Sequence, residues 1–284
     1  VKMITGKTYE ERQKISGLSS ERADIIIAGS LVVQEIVKKA KAAYLTISGC
    51  GLREGLFFHY YDPLYDADGK KQTHMLWNSV KNYLDTLPME YTFHTHYVTA
   101  MALSMFDHWK KIHHMDERAR KLLAAAGLLH DVGNLINYYS HARHSAYMTA
   151  NAHIFGWSHS EQVMCALICA FHHGYSGKYL KANPQAHILT AAQMREVRML
   201  SLFLAMAEGL DESHEHCITR LICTSVKNAM DLRLYTDREN FDVPAHATAP
   251  LIKDFEKTFH IPLRIQWFPG SSHENQLVEA AKKI

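Results

Sequence analysis

Three histidines and an aspartate lie close together in the stretch LLHDVGNLINYYSHARHSAY, residues 128–147. His130 and Asp131 are adjacent at the end of an apolar run, and His141 and His144 follow after a break in the helical pattern. Imidazole and carboxylate together suit borderline metals such as Mn, Fe or Zn, whereas carboxylates alone would suit Mg. The stretch therefore predicts part of a metal site whose other ligands come from elsewhere in the chain.

Residues of the same types stand at the ends of other apolar helical stretches. The predicted metal ligands are, in chain order, His94, His130, Asp131, His144, His172, Glu208 and Asp211. Any one histidine is more often structural than a ligand, but the ordered set favours a cleft that holds one or two divalent ions. Asp131 is the predicted catalytic residue, because a carboxylate between imidazoles can bridge two ions. Such a pair would polarise a phosphoryl oxygen and supply hydroxide near neutral pH.

A phosphate held by metal ions also needs cations at its outer oxygens, and a guanidinium serves better there than an ammonium. Arg143 immediately precedes one predicted ligand, with His141 nearby, and His173 and Lys178 follow another. These four residues are predicted to bind substrate. For Lys178, a solvated surface charge explains the position equally well.

Most of the 20 histidines need no chemical role. His108, His113 and His114 fall on a polar helix face and are predicted to be solvated. His214 and His216 come soon after the last predicted ligands, and we interpret them as surface residues.

The overall composition is that of an ordinary globular protein, with 47% apolar and 21% charged residues. A net charge of +2 gives no global reason to expect nucleic acid or an anionic membrane as a partner. No apolar run is long enough to span a bilayer, and no signal peptide is recognisable. Five scattered cysteines do not form a disulfide framework, so we expect a cytoplasmic protein.

Helical periodicity dominates the middle of the chain, and we expect a mostly helical α+β fold. Helices are predicted at 21–43, 74–86, 93–113, 116–131, 143–154, 159–173, 190–211 and 249–260. Strands are predicted at 44–48, 217–226, 229–236 and 261–268. A glycine-rich turn and a further helix follow the first strand, and the polar segment around Pro63 and Gly69 is predicted to be a linker.

Five segments together point to a known family. They are ISGLSSERADIIIAG (15–29), SGCGLREGLFF (48–58), LLHDVGNLINYYSHARHSAY (128–147), AFHH (170–173) and LAMAEGLDESH (204–214). In this order they resemble the exopolyphosphatase/guanosine pentaphosphate phosphohydrolase (Ppx/GppA) family over nearly the whole chain. The predicted ligand order also resembles that of the HD superfamily of metal-dependent phosphohydrolases.

The resemblance implies a domain organisation. Residues 1–58 would be the last segment of an actin-like (ASKHA) phosphatase module, 59–72 a linker, 73–212 a helical HD-like domain, and 213–284 a small α+β domain. Arg22 and Arg53 would remain from the phosphate-binding site of the actin-like module, whose catalytic carboxylates are expected before Val1. The chain is therefore expected to be the C-terminal portion of a homodimeric protein and to lack the polyphosphatase site itself.

The implied activity is release of terminal phosphate from inorganic polyphosphate, from guanosine pentaphosphate, or from both. Two alternatives stay open: a non-catalytic domain that binds polyphosphate or nucleotide and holds a dimer together, or an independent HD nucleotide phosphohydrolase. Family members often carry Asp at the position of Glu208 and basic residues at those of Phe203 and Glu212. The longer carboxylate changes the ligand geometry, and the loss of two cations weakens phosphate recognition beside the cleft.

Overall fold

The computed structural model describes residues 1–65, 71–88, 93–226, 229–270 and 275–284. The chain divides into two compact units, residues 1–65 and 66–284. Both are mainly helical, and a three-stranded sheet lies near the end of the second unit. The expected mostly helical α+β class is confirmed at this level.

The first unit contains four helices. These are α1 (Lys2–Thr5), α2 (Tyr9–Gln13), α3 (Ile26–Lys39) and α4 (Leu52–Tyr65). Thr8 begins α2 with a capping box, in which its hydroxyl accepts from the Glu11 amide and the Glu11 carboxylate accepts from the Thr8 amide. Arg12 ties this turn to the segment before α3 by donating to the carbonyls of Ala23 and Lys7.

The strand predicted at 44–48 is wrong, because these residues are irregular and exposed. A strand needs a neighbouring strand to satisfy its backbone groups, and no strand forms within residues 1–65, all of which the structure describes. Within the predicted linker 59–72, helix α4 continues to Tyr65 and a further helix begins at Lys71. Residues 66–70 lie outside the described part of the chain.

The second unit contains ten helices within the described ranges. They are α5 (Lys71–Asp85), α6 (Phe93–His108), α7 (Lys110–His113), α8 (Glu117–Leu129), α9 (His141–Asn151), α10 (His159–Ala170), α11 (Gly177–Ala182), α12 (Ala191–Leu210), α13 (Asp242–Phe259) and α14 (Gln276–Ala281). The predicted helices of this region are confirmed, with two shifts that matter below. The predicted helix 93–113 is divided at Trp109 into α6 and α7, and α9 begins at His141, two residues earlier than predicted.

Side-chain caps decide where the central helices begin. Asp116 accepts from the Ala119 amide at the start of α8. Ser158 and Thr190 form capping boxes at the starts of α10 and α12. Each cap fixes the first residue of its helix. The candidate ligands stand at the other ends of α8, α10 and α12.

The core forms where α6, α8, α10 and α12 pack against one another. Helix α6 is buried nearly all round, as expected for a helix without a polar face. Small residues allow the close approach of α6 and α8, since a Cβ on Gly127 would collide with the Thr99 hydroxyl. The four helix ends are thereby held at fixed separations.

The sheet consists of β1 (Ile218–Val226), β2 (Ala229–Thr236) and β3 (Leu263–Pro269), in the order β1-β2-β3. β1 and β2 are antiparallel, and β3 runs parallel to β2 after the crossover helix α13. α13 packs on α12, and the Tyr97 hydroxyl of α6 donates to the Ile218 carbonyl of β1. The three strands predicted after residue 213 are confirmed.

Among the described residues, every helix is too short or too polar to cross a membrane.

Candidate metal centre

Candidate ligands from four helices converge on one buried cluster. His94 lies in the first turn of α6, His130 and Asp131 directly follow α8, and His172 follows α10. Glu208 lies in the last turn of α12. His130 and His172 are wholly buried, and the others are at least nine-tenths buried. The sequence-predicted convergence of helix ends is thus present in the fold.

His94, His130, Asp131 and Glu208 form what we call group A. Glu208 Oε2 lies 3.2 Å from His94 Nε2 and 3.0 Å from His130 Nε2. Asp131 Oδ2 lies 3.9 Å from His94 Nε2, and Asp131 Oδ1 lies 3.9 Å from His130 Nε2. Two atoms that each lie about 2.1 Å from one ion are roughly 3 to 4 Å apart. The separations in group A therefore fit a shared cation.

His141, His172 and His173 form what we call group B. His141 Nε2 lies 3.0 Å from His172 Nε2 and 3.1 Å from His173 Nε2. Asp131 stands between the two groups, because its Oδ1 is also 3.3 Å from His141 Nε2. One carboxylate thus faces both sets of imidazoles.

Backbone carbonyls determine which ring nitrogen of these histidines carries a proton. Nδ1 of His130, His141 and His172 lies 2.6, 2.9 and 2.7 Å from the carbonyl oxygen three residues earlier in the chain. A carbonyl can only accept, so Nδ1 donates, and a neutral ring is left with an acceptor at Nε2. All three Nε2 atoms point into the cluster. This arrangement is typical of metal-ligating histidines.

The consequence is largest in group B. Here Nε2 of His141 and Nε2 of His172 lie 3.0 Å apart, with their lone pairs facing each other. Facing lone pairs repel unless a proton or a metal ion lies between them. Burial and the nearby charge of His130 lower the pKa of His172 to about 3. Burial also lowers the pKa of His173. His172 and His173 therefore resist protonation, and a set of imidazoles with facing lone pairs suits a metal ion.

Group A is electrostatically different. Burial opposes protonation of His94, but hydrogen bonds with Asp211 and Glu208 outweigh it and raise its pKa to about 10. Burial likewise opposes protonation of His130, but the charges of Asp131 and Glu208 raise its pKa to about 9. Positive charge near the imidazoles therefore stabilises the carboxylates of group A. A divalent cation would supply that charge in place of the protons on His94 and His130.

His130 shows the strongest single mismatch. Its Nε2 is buried and has no hydrogen-bond partner among the described residues. Glu208 Oε2 lies 3.0 Å away and forms an ion pair with the ring when His130 is protonated. A buried nitrogen without a partner is costly in a folded protein, and a metal ion would relieve that cost.

Asp211 lies behind His94 rather than between the groups. Its Oδ2 is 2.8 Å from both His94 Nδ1 and His216 Nδ1, and its Oδ1 accepts from the His216 amide at 2.8 Å. Since His94 Nδ1 is occupied by Asp211, the other ring nitrogen, Nε2, faces Glu208. Asp211 can thus orient His94, while Glu208 faces the cluster.

His214 is exposed, as interpreted from the sequence, whereas His216 is half-buried, and both lie beside the cluster. The His214 ring stacks on the His94 ring, with centroids 3.8 Å apart and planes at 4°. Their position just after α12 could have indicated this from the sequence, because the other candidate ligands also stand at the ends of apolar helices. His113 also differs from prediction, because it is buried, where its Nε2 donates to the Phe106 carbonyl and its Nδ1 accepts from the Met115 amide.

Several predicted site residues stay apart. His144 is half-buried and joins no potential metal-binding group in the described ranges, whereas His141, predicted to bind substrate, belongs to group B. The geometry therefore favours His141 over His144 as a ligand. Arg143 is exposed, with its guanidinium 5.9 Å from the centre of the Tyr179 ring, and Lys178 is exposed.

Arg22 and Arg53 are exposed in the first unit. Nothing in their surroundings assigns them a ligand.

Two family models match the chain. The family model described as Ppx/GppA phosphatase, domain III, matches residues 79–253, and the model of the Ppx/GppA phosphatase family matches residues 1–62. The chain belongs to the Ppx/GppA phosphatase family. The family resemblance inferred from the motifs is thereby confirmed. In this Ppx/GppA protein, the domain III match contains every residue of groups A and B.

Proposed function

We propose that this Ppx/GppA protein is a phosphohydrolase that releases terminal phosphate from inorganic polyphosphate, guanosine pentaphosphate or both, and that groups A and B form its HD-type divalent-metal centre. The observation that carries the metal centre is the pair of facing acceptors in group B, His141 Nε2 and His172 Nε2, 3.0 Å apart. Family membership supports the hydrolase activity, since Ppx/GppA proteins act on polyphosphate and guanine nucleotides.

The separations support two neighbouring ions. One would be held by group A and the other by group B, with the Asp131 carboxylate between them. The imidazole-rich ligand set favours Mn, Fe or Zn over Mg. Glu208 is the proposed last ligand, because Asp211 is already engaged with His94 and His216.

Divalent ions at this position would polarise a phosphoryl oxygen and lower the pKa of water. The protein's own residues would orient the ligands and bind the substrate. The backbone carbonyls hold the rings of His130, His141 and His172 in one orientation. Arg143 follows His141 by two residues and Lys178 follows His173 by five. Both are exposed and are proposed to contact outer phosphate oxygens.

We also retain the domain organisation as a proposal. Residues 1–58 are assigned to the end of an actin-like module, with Arg22 and Arg53 as phosphate contacts, 73–212 to the HD-like domain, and 213–284 to the small α+β domain. The separate family matches, one ending at residue 62 and the other beginning at 79, support a boundary between them.

The direct test combines elemental analysis with phosphate release. The purified chain should contain one or two divalent ions, and the His130→Ala, Asp131→Ala double variant should lose most of them. His187→Ala is the control, because His187 is exposed and outside both groups. Full metal content in the double variant would contradict the metal centre.

Phosphate release is then measured with long-chain polyphosphate and with guanosine pentaphosphate, before and after chelation. Residues 1–284 are not expected to release phosphate from long-chain polyphosphate, because the polyphosphatase site is assigned to the actin-like module and not to groups A and B. Metal-dependent release from guanosine pentaphosphate would show that groups A and B are themselves catalytic. A fully loaded chain that binds either compound without releasing phosphate would instead favour a non-catalytic binding domain.

A further inference from the structure

The segment 134–140, which leads from Asp131 of group A to His141 of group B, is apolar and yet exposed. Its large apolar side chains are Leu135, Ile136, Tyr138 and Tyr139. Tyr138 and Tyr139 are the most open of them, 74% and 80% exposed. Contiguous exposed apolar side chains often mark a binding surface, whereas scattered ones do not.

The backbone of this segment is held by hydrogen bonds although its side chains are exposed. The amides of Ile136 and Asn137 donate to the Gly133 carbonyl, at 2.9 and 3.2 Å. The Tyr139 amide donates to Asn137 Oδ1 at 2.8 Å. Ser140, with φ +63°, then leads the chain into α9. The two tyrosine rings therefore project from a defined backbone.

The ring of Tyr138 lies directly beside group B. The Tyr138 carbonyl accepts from His141 Nδ1 at 2.9 Å, and the centres of the two rings are 5.8 Å apart. The Tyr139 ring meets the Tyr138 ring edge to face, with centres also 5.8 Å apart. A flat ligand stacked on these tyrosines would therefore lie next to the candidate metal centre.

The chemistry of the two neighbouring surfaces selects the kind of ligand. Divalent ions in groups A and B would bind phosphate oxygens, and Arg143, exposed two residues after His141, adds a positive charge. The segment 134–140 has no charged side chain, so it offers no charge to inorganic polyphosphate. Exposed aromatic rings do bind nucleobases, by stacking. A ligand that matches both surfaces has a base at one end and phosphates at the other, as a nucleotide has.

We propose that Tyr138 and Tyr139 form a stacking platform for the base of a purine nucleotide whose phosphates reach groups A and B. The inference rests on the proposed function and narrows it, because it makes guanosine pentaphosphate, rather than inorganic polyphosphate, the ligand of this site. The fused rings of a purine present a larger stacking face than a pyrimidine does. Stacking uses the face of the tyrosine ring and not its hydroxyl, so phenylalanine should serve equally well.

The test uses the full chain loaded with Zn²⁺ and two probes. These are guanosine pentaphosphate and inorganic tripolyphosphate, which has phosphates but no base. Tyr138→Ala and Tyr139→Ala each remove one ring, and Tyr138→Phe keeps it. Tyr147→Ala is the matched control, because Tyr147 is similarly exposed but lies in α9, outside the segment. Calorimetric titration measures both affinities, and elemental analysis measures the metal content of each protein.

Both alanine variants should bind guanosine pentaphosphate at least about tenfold more weakly. Their affinity for tripolyphosphate and their metal content should not change, and Tyr138→Phe and the control should match the wild type. Unchanged affinity for guanosine pentaphosphate in both alanine variants would overturn the inference. An equal loss of affinity for the two probes would also overturn it, because the rings would then support the phosphate site and not a base.

Sedimentation of the same proteins tests whether the segment instead joins two copies of the chain. A wild-type dimer that both alanine variants dissociate, with unchanged affinity for guanosine pentaphosphate, would make the segment a subunit interface and overturn the inference. The metal centre would stand in each of these cases, because the wild type would still hold its ions. A wild-type chain that bound no metal ion would contradict the proposed function, and the inference with it.

Discussion

At the scale of single residues, the candidate centre is organised by ring nitrogens that the backbone leaves facing one another. Three of its histidines use Nδ1 to hold a carbonyl three residues earlier, and this leaves Nε2 for the cluster. Two of these histidines follow the last turn of a helix, where carbonyls lack an intrahelical partner. Each of these three candidate ligands therefore stands close to the backbone carbonyl that orients its ring.

The roles of Glu208 and Asp211 can be separated by conservative substitutions. Asp211→Asn should weaken metal binding about 10- to 100-fold, since Asp211 orients His94 without facing the cluster. Glu208→Gln should weaken it more, because a proposed ligand loses its charge. Isothermal titration with Zn²⁺ measures both. The reverse order of effects would make Asp211 the ligand.

The pH dependence of stability follows from the shifted histidines. Without metal, the raised pKa values of His94 and His130 stabilise the fold below their unfolded value of about 6.5. That stabilisation is lost as the pH rises through about 9 to 10. His172 acts in the opposite direction. Its pKa of about 3 means that stability is lost as the pH falls below about 6.5.

Urea unfolding in the presence of a chelator, from pH 5 to 10, tests this. The free energy of unfolding should fall towards both ends of the range. His94→Gln should show a shallower fall above pH 8 than the wild type. Identical slopes for the two proteins there would contradict the raised pKa of His94.

The spacing in the sequence predicted that candidate ligands at helix ends would lie close together, and it gave no information about the turn after α12. The structure brings together His94, His130, Asp131, His172 and Glu208, each of which stands at a helix terminus. Their role as metal ligands stays a prediction. The turn 211–216 was missed because its direction depends on the Asp211 side chain, which spacing does not reveal. His144 was preferred to His141 because the start of α9 was predicted two residues late.

At the scale of elements, glycines determine how closely the ligand-bearing segments approach. A Cβ on Gly133 would collide with the His141 carbonyl and with the amide of Ser145 in α9. The Gly133 amide also donates to the Ser145 hydroxyl at 2.8 Å. The segment after His130 and Asp131 therefore packs directly on the start of α9. This contact sets the distance between Asp131 and His141.

Gly133→Ala should push α9 away and weaken group B more than group A. Overpacking of this kind costs about 1–3 kcal/mol of stability. The expected result is loss of one of two bound ions by elemental analysis, together with a lower urea midpoint. Gly29→Ala is the control, because nothing lies within 4 Å of a Cβ there. Unchanged stoichiometry in Gly133→Ala would show that α9 adjusts without moving His141.

Element prediction also shows where local pattern is sufficient. The helical spacing of apolar residues over long segments predicted α6, α8, α10 and α12. Burial of apolar side chains, rather than capping, contributes most to the stability of such helices. The short β-branched run at 44–48 was misread, because strand formation depends on a pairing partner elsewhere in the chain. The β1–β2 pair was predicted correctly, since both partners are adjacent in sequence.

At the scale of the whole molecule, a metal centre would join helices that are otherwise held by apolar packing. Ligands from α6, α8, α10 and α12 are distributed over more than a hundred residues, from His94 to Glu208. A ligand that binds only the folded state stabilises it by about 2.7 kcal/mol at a free concentration 100 times Kd. This stabilisation should belong to the unit 66–284, because the proposed ligands lie there and residues 1–65 form a separate unit.

Amide hydrogen exchange with and without Zn²⁺ can locate that effect. Metal should slow exchange in α6, α8, α10 and α12 by up to about 100-fold under these conditions, the equivalent of 2.7 kcal/mol. Exchange in α3 of the first unit should not change, which provides a control within the same molecule. Equal slowing in α3 would indicate that metal couples the two units. Absence of slowing in the four core helices would mean that the ion binds outside the helix ends.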